Sequence, residues 1–285
     1  MIQSLRTIKT RIRSVDNTRK ITRAMEMVSS AKLNRIDNLS YGARGYFLKL
    51  SSILKNTLVS NFKISHPFLK KQNTTGNIAV CVITSDTGLA GNFNNRIIKA
   101  TENFLKNFAR DKIKLVCVGK KSFVYFRAKE FNIIHSIIGL YGRFNEEIPK
   151  KITSILTNIF LTGEADEVYI IYAHYESKAR NMPVIEKFLN LEKGVGEDVN
   201  YIVEPGIERF IDELISRYLL AKIRMVILDS FTSEHSTRMI AMKIATDNAV
   251  ELVENLIILR NKARQAAITK EVLEVASSAE ALKNR

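Results

Sequence analysis

The sequence predicts an α/β fold with long helices. Its N- and C-terminal helices form an antiparallel coiled coil, and a central small α/β domain is Rossmann-like with a mostly parallel sheet. Three observations predict it. All 12 Gly and all 4 Pro lie between Gly42 and Gly206, and these are the residues that most strongly punctuate helices. Both Gly- and Pro-free ends carry apolar residues at steps of three and four, the spacing of a helical seam. Between them, short apolar runs alternate with amphipathic stretches, the pattern of βα units. The expected domains are an N-terminal coiled-coil helix at 1–60, a central α/β domain at 75–192, and a C-terminal coiled-coil helix at 207–285 that pairs with 1–60.

The N-terminal stretch places Ile2, Leu5, Ile8, Ile12 and Val15 on one face, then Ile21, Met25 and Val28, then Leu33, Ile36 and Leu39. The gap at Asp16-Asn17-Thr18 reads as a local irregularity of the heptad, a stutter. At the other end Met242, Ala245, Ala249, Leu252, Leu256, Leu259, Ala263 and Ala266 make a heptad seam whose alanines let backbones approach closely. A further seam, Ile207, Phe210, Leu214 and Tyr218, opens just after Pro205-Gly206, where a proline suits a helix start. The 79 residues after Gly206 would span about 120 Å as one helix, too long to bury itself in one small core. Two amphipathic helices packed separately on the middle domain are the simpler alternative, and the length of the seams argues against it.

In the middle, Asn77–Thr84 is a short apolar strand, followed by a glycine-bearing turn and a helix over 94–109. Ile113–Val118 is a second strand, 121–130 a helix, Ile133–Ile138 a third strand and Glu146–Phe160 a helix. Glu167–Tyr175 is a strong strand, and Met182–Asn190, with Pro183 near its start, is an edge strand. Lys193–Asn200 is a loop.

Composition narrows the function. With 46% hydrophobic and 26% charged residues, disorder as the main state is excluded. Cys81 and Cys117 each sit in an apolar run, as buried reduced thiols do. Charges interrupt the Met1 end, so no signal-peptide core forms there, and no window supplies the roughly 18 apolar residues of a membrane span. The expected location is cytoplasmic. The net charge of +15 calls for an acidic partner: nucleic acid, an anionic membrane surface or an acidic protein. Residues 1–50 hold 11 Lys/Arg against three carboxylates, whereas 207–285 are almost balanced. A basic coiled-coil arm that binds nucleic acid is therefore one reading. Residues 1–40 lack Phe, Tyr and Trp, which counts against base stacking.

Catalytic signals are weak. Ser85–Asn92 (SDTGLAGN) follows a strand and precedes a helix, the place where backbone N–H groups often cradle phosphate. It is neither G-x-G-x-x-G nor a P-loop, so a structural turn or docking loop is the stronger reading. His66, His135, His174 and His235 have no His or Cys at ligand spacing, and no nucleophile motif appears. Asp86 reads as a turn residue and Asp166 as a solvated loop residue. No catalytic residue, metal ligand, cofactor or small-molecule substrate is expected.

Four longer runs carry a resemblance: Ile8–Val28 (IKTRIRSVDNTRKITRAMEMV), Thr84–Asn94 (TSDTGLAGNFN), Ser233–Ala249 (SEHSTRMIAMKIATDNA) and Asn261–Glu271 (NKARQAAITKE). Together they resemble the gamma subunit of F-type (F1Fo) ATP synthase, bacterial type. The chain departs from the family pattern at Thr87, Ala90 and Asn92, where Arg, Cys and Gly are usual, and at Val203, where a second aromatic is common. The resemblance implies a non-catalytic rotor shaft that couples proton-driven c-ring rotation to the conformational cycle of the catalytic beta subunits and regulates ATPase activity and proton flow. Implied partners are three alpha and three beta subunits, the epsilon subunit and the c-ring, with no nucleic acid. Membrane association would be indirect, at the cytoplasmic face of the inner membrane. By family position, Lys9, Lys20, Arg23, Met25, Arg238, Arg264 and Gln265 would touch the alpha/beta hexamer. Tyr201, Val203 and Glu204 would touch the c-ring and epsilon. Val272–Leu282 is small and weakly polar, suited to a tip turning in an apolar bearing.

Overall fold

The computed structural model describes residues 5–59, 64–70, 75–177, 180–191, 204 and 206–283. Helix α1 (Leu5–Val59) leads to strand β1 (Ile78–Ile83), helix α2 (Phe93–Leu105), β2 (Ile113–Val118), α3 (Lys120–Ala128) and β3 (Ile133–Ile137). Helix α4 (Glu147–Leu161), strands β4 (Glu167–Ser177) and β5 (Arg180–Leu189), and helix α5 (Ile207–Lys283) complete the chain. The predicted fold class is the observed one, and every strand and helix expected in the middle is present within a few residues. Lys193–Asn200 lies outside the described residues. The chain divides into two compact units, one of Met1–Val28 with Met239–Arg285 and the other of Ser29–Arg238.

In the Ser29–Arg238 unit the sheet has the order β3-β2-β1-β4-β5. Pairs β1–β2, β1–β4 and β2–β3 are parallel, and β4–β5 is antiparallel. Strand β1 is buried along its whole length, which explains its uninterrupted apolar run. Its side chains alternate between two cores. Ala79, Cys81 and Ile83 join α4, α5 and the later part of α1, packing with Ile152, Phe160, Leu54 and Phe231. Ile78, Val80 and Val82 join α2 and α3, packing with Phe93, Ile97 and Phe126. Cys81 and Cys117 fall in opposite cores, so the sheet itself separates their thiols. Burial holds both protonated, Cys117 at about 12. Pro183 sits on the antiparallel edge strand, where a missing N–H is tolerated.

Helices α1 and α5 run antiparallel in this unit: Arg44 reaches Asp229 at 3.3 Å, and Phe47 stacks on Tyr218 at 5.7 Å. Helix α1 does not stop at Gly42 but continues through Gly45 to Val59. Nothing lies within 4 Å of where a Cβ would sit at either glycine. Packing of Ala43, Leu50, Leu54 and Leu58 in the core outweighs the roughly 1 kcal/mol propensity cost of each glycine.

Two seam expectations are corrected. On α1 the buried and half-buried face runs Ile8, Ile12, Val15, Arg19, Thr22, Glu26, Ser29, Leu33, Ile36, Ser40, Ala43, Phe47, Leu50, Leu54 and Thr57. These are unbroken alternating steps of four and three, with no stutter at 16–18. Ile21, Val28 and Leu39 are exposed. On α5 the face runs Met242, Thr246, Ala249, Val253, Leu256, Arg260, Ala263 and Ala267. Ala245 is half-buried, Leu252 is 41% exposed, Leu259 is 44% exposed and Ala266 is exposed. Apolar counting misses these seams because small hydroxyl residues occupy several positions. Their hydroxyls donate to the preceding turn: Thr22 to Arg19 O, Ser40 to Ile36 O and Thr57 to Ile53 O, at 2.7–3.0 Å. A hydroxyl so satisfied can be buried at little cost. Within the unit of Met1–Val28 and Met239–Arg285, the Thr246 Oγ1 and Thr22 Oγ1 atoms meet at 2.8 Å, one hydrogen bond between the paired helices.

Candidate functional site: the carboxyl edge of the sheet and the coil surface

In an open α/β sheet, ligands bind beyond the carboxyl ends of the strands, where the strand order reverses. Here that point lies between β1 and β4, and the Ser85–Asn92 turn sits over it. Several polar groups around this turn are engaged within the chain. Ser85 N donates to Asn94 Oδ1 at 3.0 Å. At the start of α3, Lys120 N donates to Asp86 Oδ1 at 2.9 Å, Lys121 N to Ser85 O at 3.1 Å and Ser122 N to Thr84 Oγ1 at 2.9 Å. Asp86 is buried and also accepts from Gly139 N at 3.0 Å and Tyr141 N at 2.8 Å. It is a turn residue, as expected, and it ties three loops together. Asp166 is not solvated: it is buried and accepts from Thr75 Oγ1 and Gly76 N at 2.9 and 2.7 Å. Gly119, at φ +94°, permits the close approach of the chain leaving β1 and β2, since a Cβ there would lie 2.1 Å from Thr84 O.

The remaining space at this edge is taken by α5. Ser233 Oγ donates to Ala173 O, in β4 just past its pairing with β1, at 3.2 Å. Asn181 Nδ2 donates to Thr237 Oγ1 at 2.6 Å. The Arg238 guanidinium donates to Thr87 Oγ1 at 2.9 Å, Gly88 O at 3.3 Å and Thr87 O at 3.4 Å, and lies 2.8 Å from Glu234 Oε1. His235 Nε2 lies 3.0 Å from Gly142 O. Burial pushes the imidazole down to about 4, so the ring is neutral near pH 7. Nε2–H then donates to the carbonyl and Nδ1 faces Arg238 at 3.4 Å. Burial pushes the Glu234 carboxyl up, against the opposing pull of Arg238. Gly142, at φ +62°, is required: a Cβ there would lie 2.4 Å from His235 Nε2. From α1, Lys32 Nζ donates to Tyr141 O at 3.1 Å, and burial lowers its pKa.

Beside this cluster, Asp229 Oδ2 lies 2.6 Å from His174 Nδ1 and Oδ1 accepts from Arg44 at 3.3 Å. Burial pushes the Asp229 carboxyl up while His174 and Arg44 oppose the shift. No role was assigned to Asp229, Glu234, His235 or Gly142 from the sequence. The available signal was the density of polar residues in Ser233–Arg238 on a helix whose neighbours at Met225–Leu228 and Phe231 are apolar.

The residues expected at partner contacts divide clearly. Lys9, Lys20, Arg23, Arg264 and Gln265 are exposed, and Met25 is half-buried. Lys20 and Arg19 pair with Asp16 at 3.0 and 2.7 Å, and Arg23 pairs with Glu26 at 2.9 Å. Arg238 departs from the expectation. Its side chain is only 8% exposed, and the polar groups of the Thr87-Gly88 turn and Glu234 hold it inside its own chain. Glu204 is exposed. Tyr201 and Val203 lie outside the described residues. No helix among the described residues is long and apolar enough to cross a membrane.

Fold and site together define a class: long antiparallel N- and C-terminal helices and an α/β domain whose carboxyl-edge crevice is occupied by side chains of the C-terminal helix. The family model described as ATP synthase matches residues 4–282. An ATP synthase gamma chain from Protochlamydia amoebophila is 35% identical, with 98% of this chain and 99% of that one covered. Gamma chains from Pelotomaculum thermopropionicum and an Anaeromyxobacter species are 36% and 37% identical, each over 98% of this chain and 99% of theirs. Among solved structures, the central stalk and c-ring assembly of the Tetrahymena thermophila mitochondrial ATP synthase contains a similar fold. The TM-score is 0.60 at 24% identity, covering 79% of this chain and 99% of that one. The rotor of the Euglena gracilis mitochondrial enzyme gives 0.65 at 15% identity, covering 93% and 98%. The chain belongs to the ATP synthase gamma chain family. Members of this family are non-catalytic subunits of a rotary, membrane-associated complex.

Proposed function

We propose that the chain is the central rotor shaft of a proton-driven ATP synthase, turning inside a hexamer of three alpha and three beta subunits. The observation that carries this reading is the end of α5. No residue from Ile268 to Glu280 is buried or half-buried, yet the segment is helical and presents Ile268, Val272, Leu273 and Val275 outward. A lone helix of this length with exposed apolar side chains gains its stability from a surrounding surface. A ring of partner subunits supplies one. The hexamer contacts are Lys9, Lys20, Arg23, Met25, Arg264 and Gln265. In the free chain Arg238 serves the intramolecular joint instead. The foot, together with Tyr201, Val203 and Glu204 that follow it in the chain, meets the c-ring and the epsilon subunit, so the chain rides at the cytoplasmic face of the inner membrane without entering it. The shaft passes rotation of the ring to the beta subunits, and its resistance to turning regulates ATP hydrolysis and proton flow. The domain limits that serve this role are the coil helices 1–60 and 207–285 and the foot at 75–192.

The test replaces Arg264 and Gln265 together by Ala in the assembled complex and compares the result with replacement of the exposed Lys70 and Lys106. The first pair should lower ATP hydrolysis or assembly, and the second should leave both unchanged. Equal effects would remove the contact assignment.

A further inference from the structure

The Ser85–Asn92 turn offers Thr87 and Gly88 as acceptors to Arg238 of α5 and is braced by Asp86. We infer that it is a socket for α5, and that Thr87, Glu234, His235 and Arg238 are positioning residues that stop α5 from turning about its own axis relative to the sheet. The inference deepens the rotor reading and rests on it.

The case is geometric. Four residues within six positions of α5 bond to four different parts of the α/β domain. Ser233 bonds to Ala173 within β4, Thr237 to Asn181 on β5, Arg238 to the turn after β1, and His235 to Gly142 after β3. At about 100° per residue, Thr237, Arg238 and His235 lie about 40°, 140° and 200° around the helix from Ser233. Bonds therefore reach α5 over an arc of about 200°, slightly more than half its circumference. Apolar contact is non-directional and sets a helix's rotation only through the fit of side-chain shapes. Hydrogen bonds in a buried setting are directional and costly to leave unmade. A joint that must carry torque needs the second kind.

The socket is itself braced. Asp86 joins the turn to the starts of α3 and of the 139–142 loop, so a load on Arg238 or His235 is shared among three loops. The Arg238 fork meets three acceptors at once, which the point charge of a lysine does not reproduce.

Two measurements test the joint. Both endogenous cysteines are buried, so Asn107→Cys, at an exposed position between α2 and β2, offers a unique thiol for a bead. In a complex assembled with alpha and beta subunits and held by the hexamer, the angular spread of that bead reports how stiffly the α/β domain follows the shaft. Thr87→Val removes the hydroxyl acceptor without touching α5, and Gly142→Ala drives a methyl into His235. Both should widen the angular spread, while Thr87→Ser should restore the wild-type value. On the isolated chain, the amides of Lys120, Lys121, Gly139 and Tyr141, which donate to Ser85 and Asp86 of the turn, should exchange about tenfold faster in Thr87→Val, as loss of one charge-assisted hydrogen bond implies. Wild-type spread and wild-type exchange in Thr87→Val would overturn the inference. Failure of the wild-type chain to assemble would sink the rotor reading, and the exchange experiment would still decide the joint.

Discussion

Helix α5 passes through two opposite environments. Every residue from Met225 to Ser236 is buried, whereas every residue from Ile268 to Glu280 is exposed. The first stretch contains Asp229, Glu234 and His235 and is surrounded by the sheet, α1 and α4. The second contains Val272, Leu273 and Val275 and has no cover among the described residues. One stretch is held by tertiary packing and directional polar bonds, the other by helix propensity and continuity with the rest of α5. The difference shows where the chain is finished and where it awaits partners.

The largest expected effect contrasts these stretches. Phe231→Ala removes a fully enclosed side chain and should cost about 3–5 kcal/mol in urea unfolding of the isolated chain. Leu273→Ala should change it by less than about 0.5 kcal/mol and act only in the assembled complex.

A pH series sharpens the buried side. The folded-state pKa of His235, about 4, lies below its ordinary 6.5, so the unfolded chain binds the proton first. Its contribution is complete above about pH 6.5 and is lost as pH falls toward 4, worth up to about 3 kcal/mol. Glu234 acts with the opposite sign, because a raised carboxyl pKa favours the fold at lower pH. The difference between wild type and His235→Gln isolates the histidine, and the unfolding midpoint should rise less steeply from pH 4 to 6.5 in the variant.

The seam is tested next. Leu256 is 5% exposed, so Leu256→Ala should cost about 2–3 kcal/mol. Leu252→Ala and Leu259→Ala should each cost less than about 1 kcal/mol, although heptad counting of apolar residues treats all three alike. The smallest effect is a gain. Gly42→Ala and Gly45→Ala meet open space in α1 and should each stabilise the isolated chain by about 0.5–1 kcal/mol.

Much of the fold was legible because its signals are local. The uninterrupted apolar run of β1 follows from burial on both faces, and β2 begins and ends at Ile113 and Val118 as its pattern indicates. Pro183 marked an edge strand correctly. The seam was half legible: Met242, Ala249, Leu256 and Ala263 follow from the apolar pattern, but Thr22, Ser40, Thr57 and Thr246 do not, since a buried hydroxyl bonded to its own helix looks polar in a sequence. The polar run Ser233–Arg238 is visible in the sequence, but the joint it makes is not. Its meaning depends on Thr87, Gly142, Ala173 and Asn181, which the chain brings together from four distant places. Arg238 shows the same limit, because an exposed cation and a buried clamp are the same letter.

The most direct test mixes the purified chain with alpha and beta subunits and follows assembly together with ATP hydrolysis. The rotor account predicts one copy of this chain per three alpha and three beta subunits, and faster hydrolysis than alpha and beta subunits show alone. A chain that fails to join them, or joins without changing hydrolysis, would contradict it.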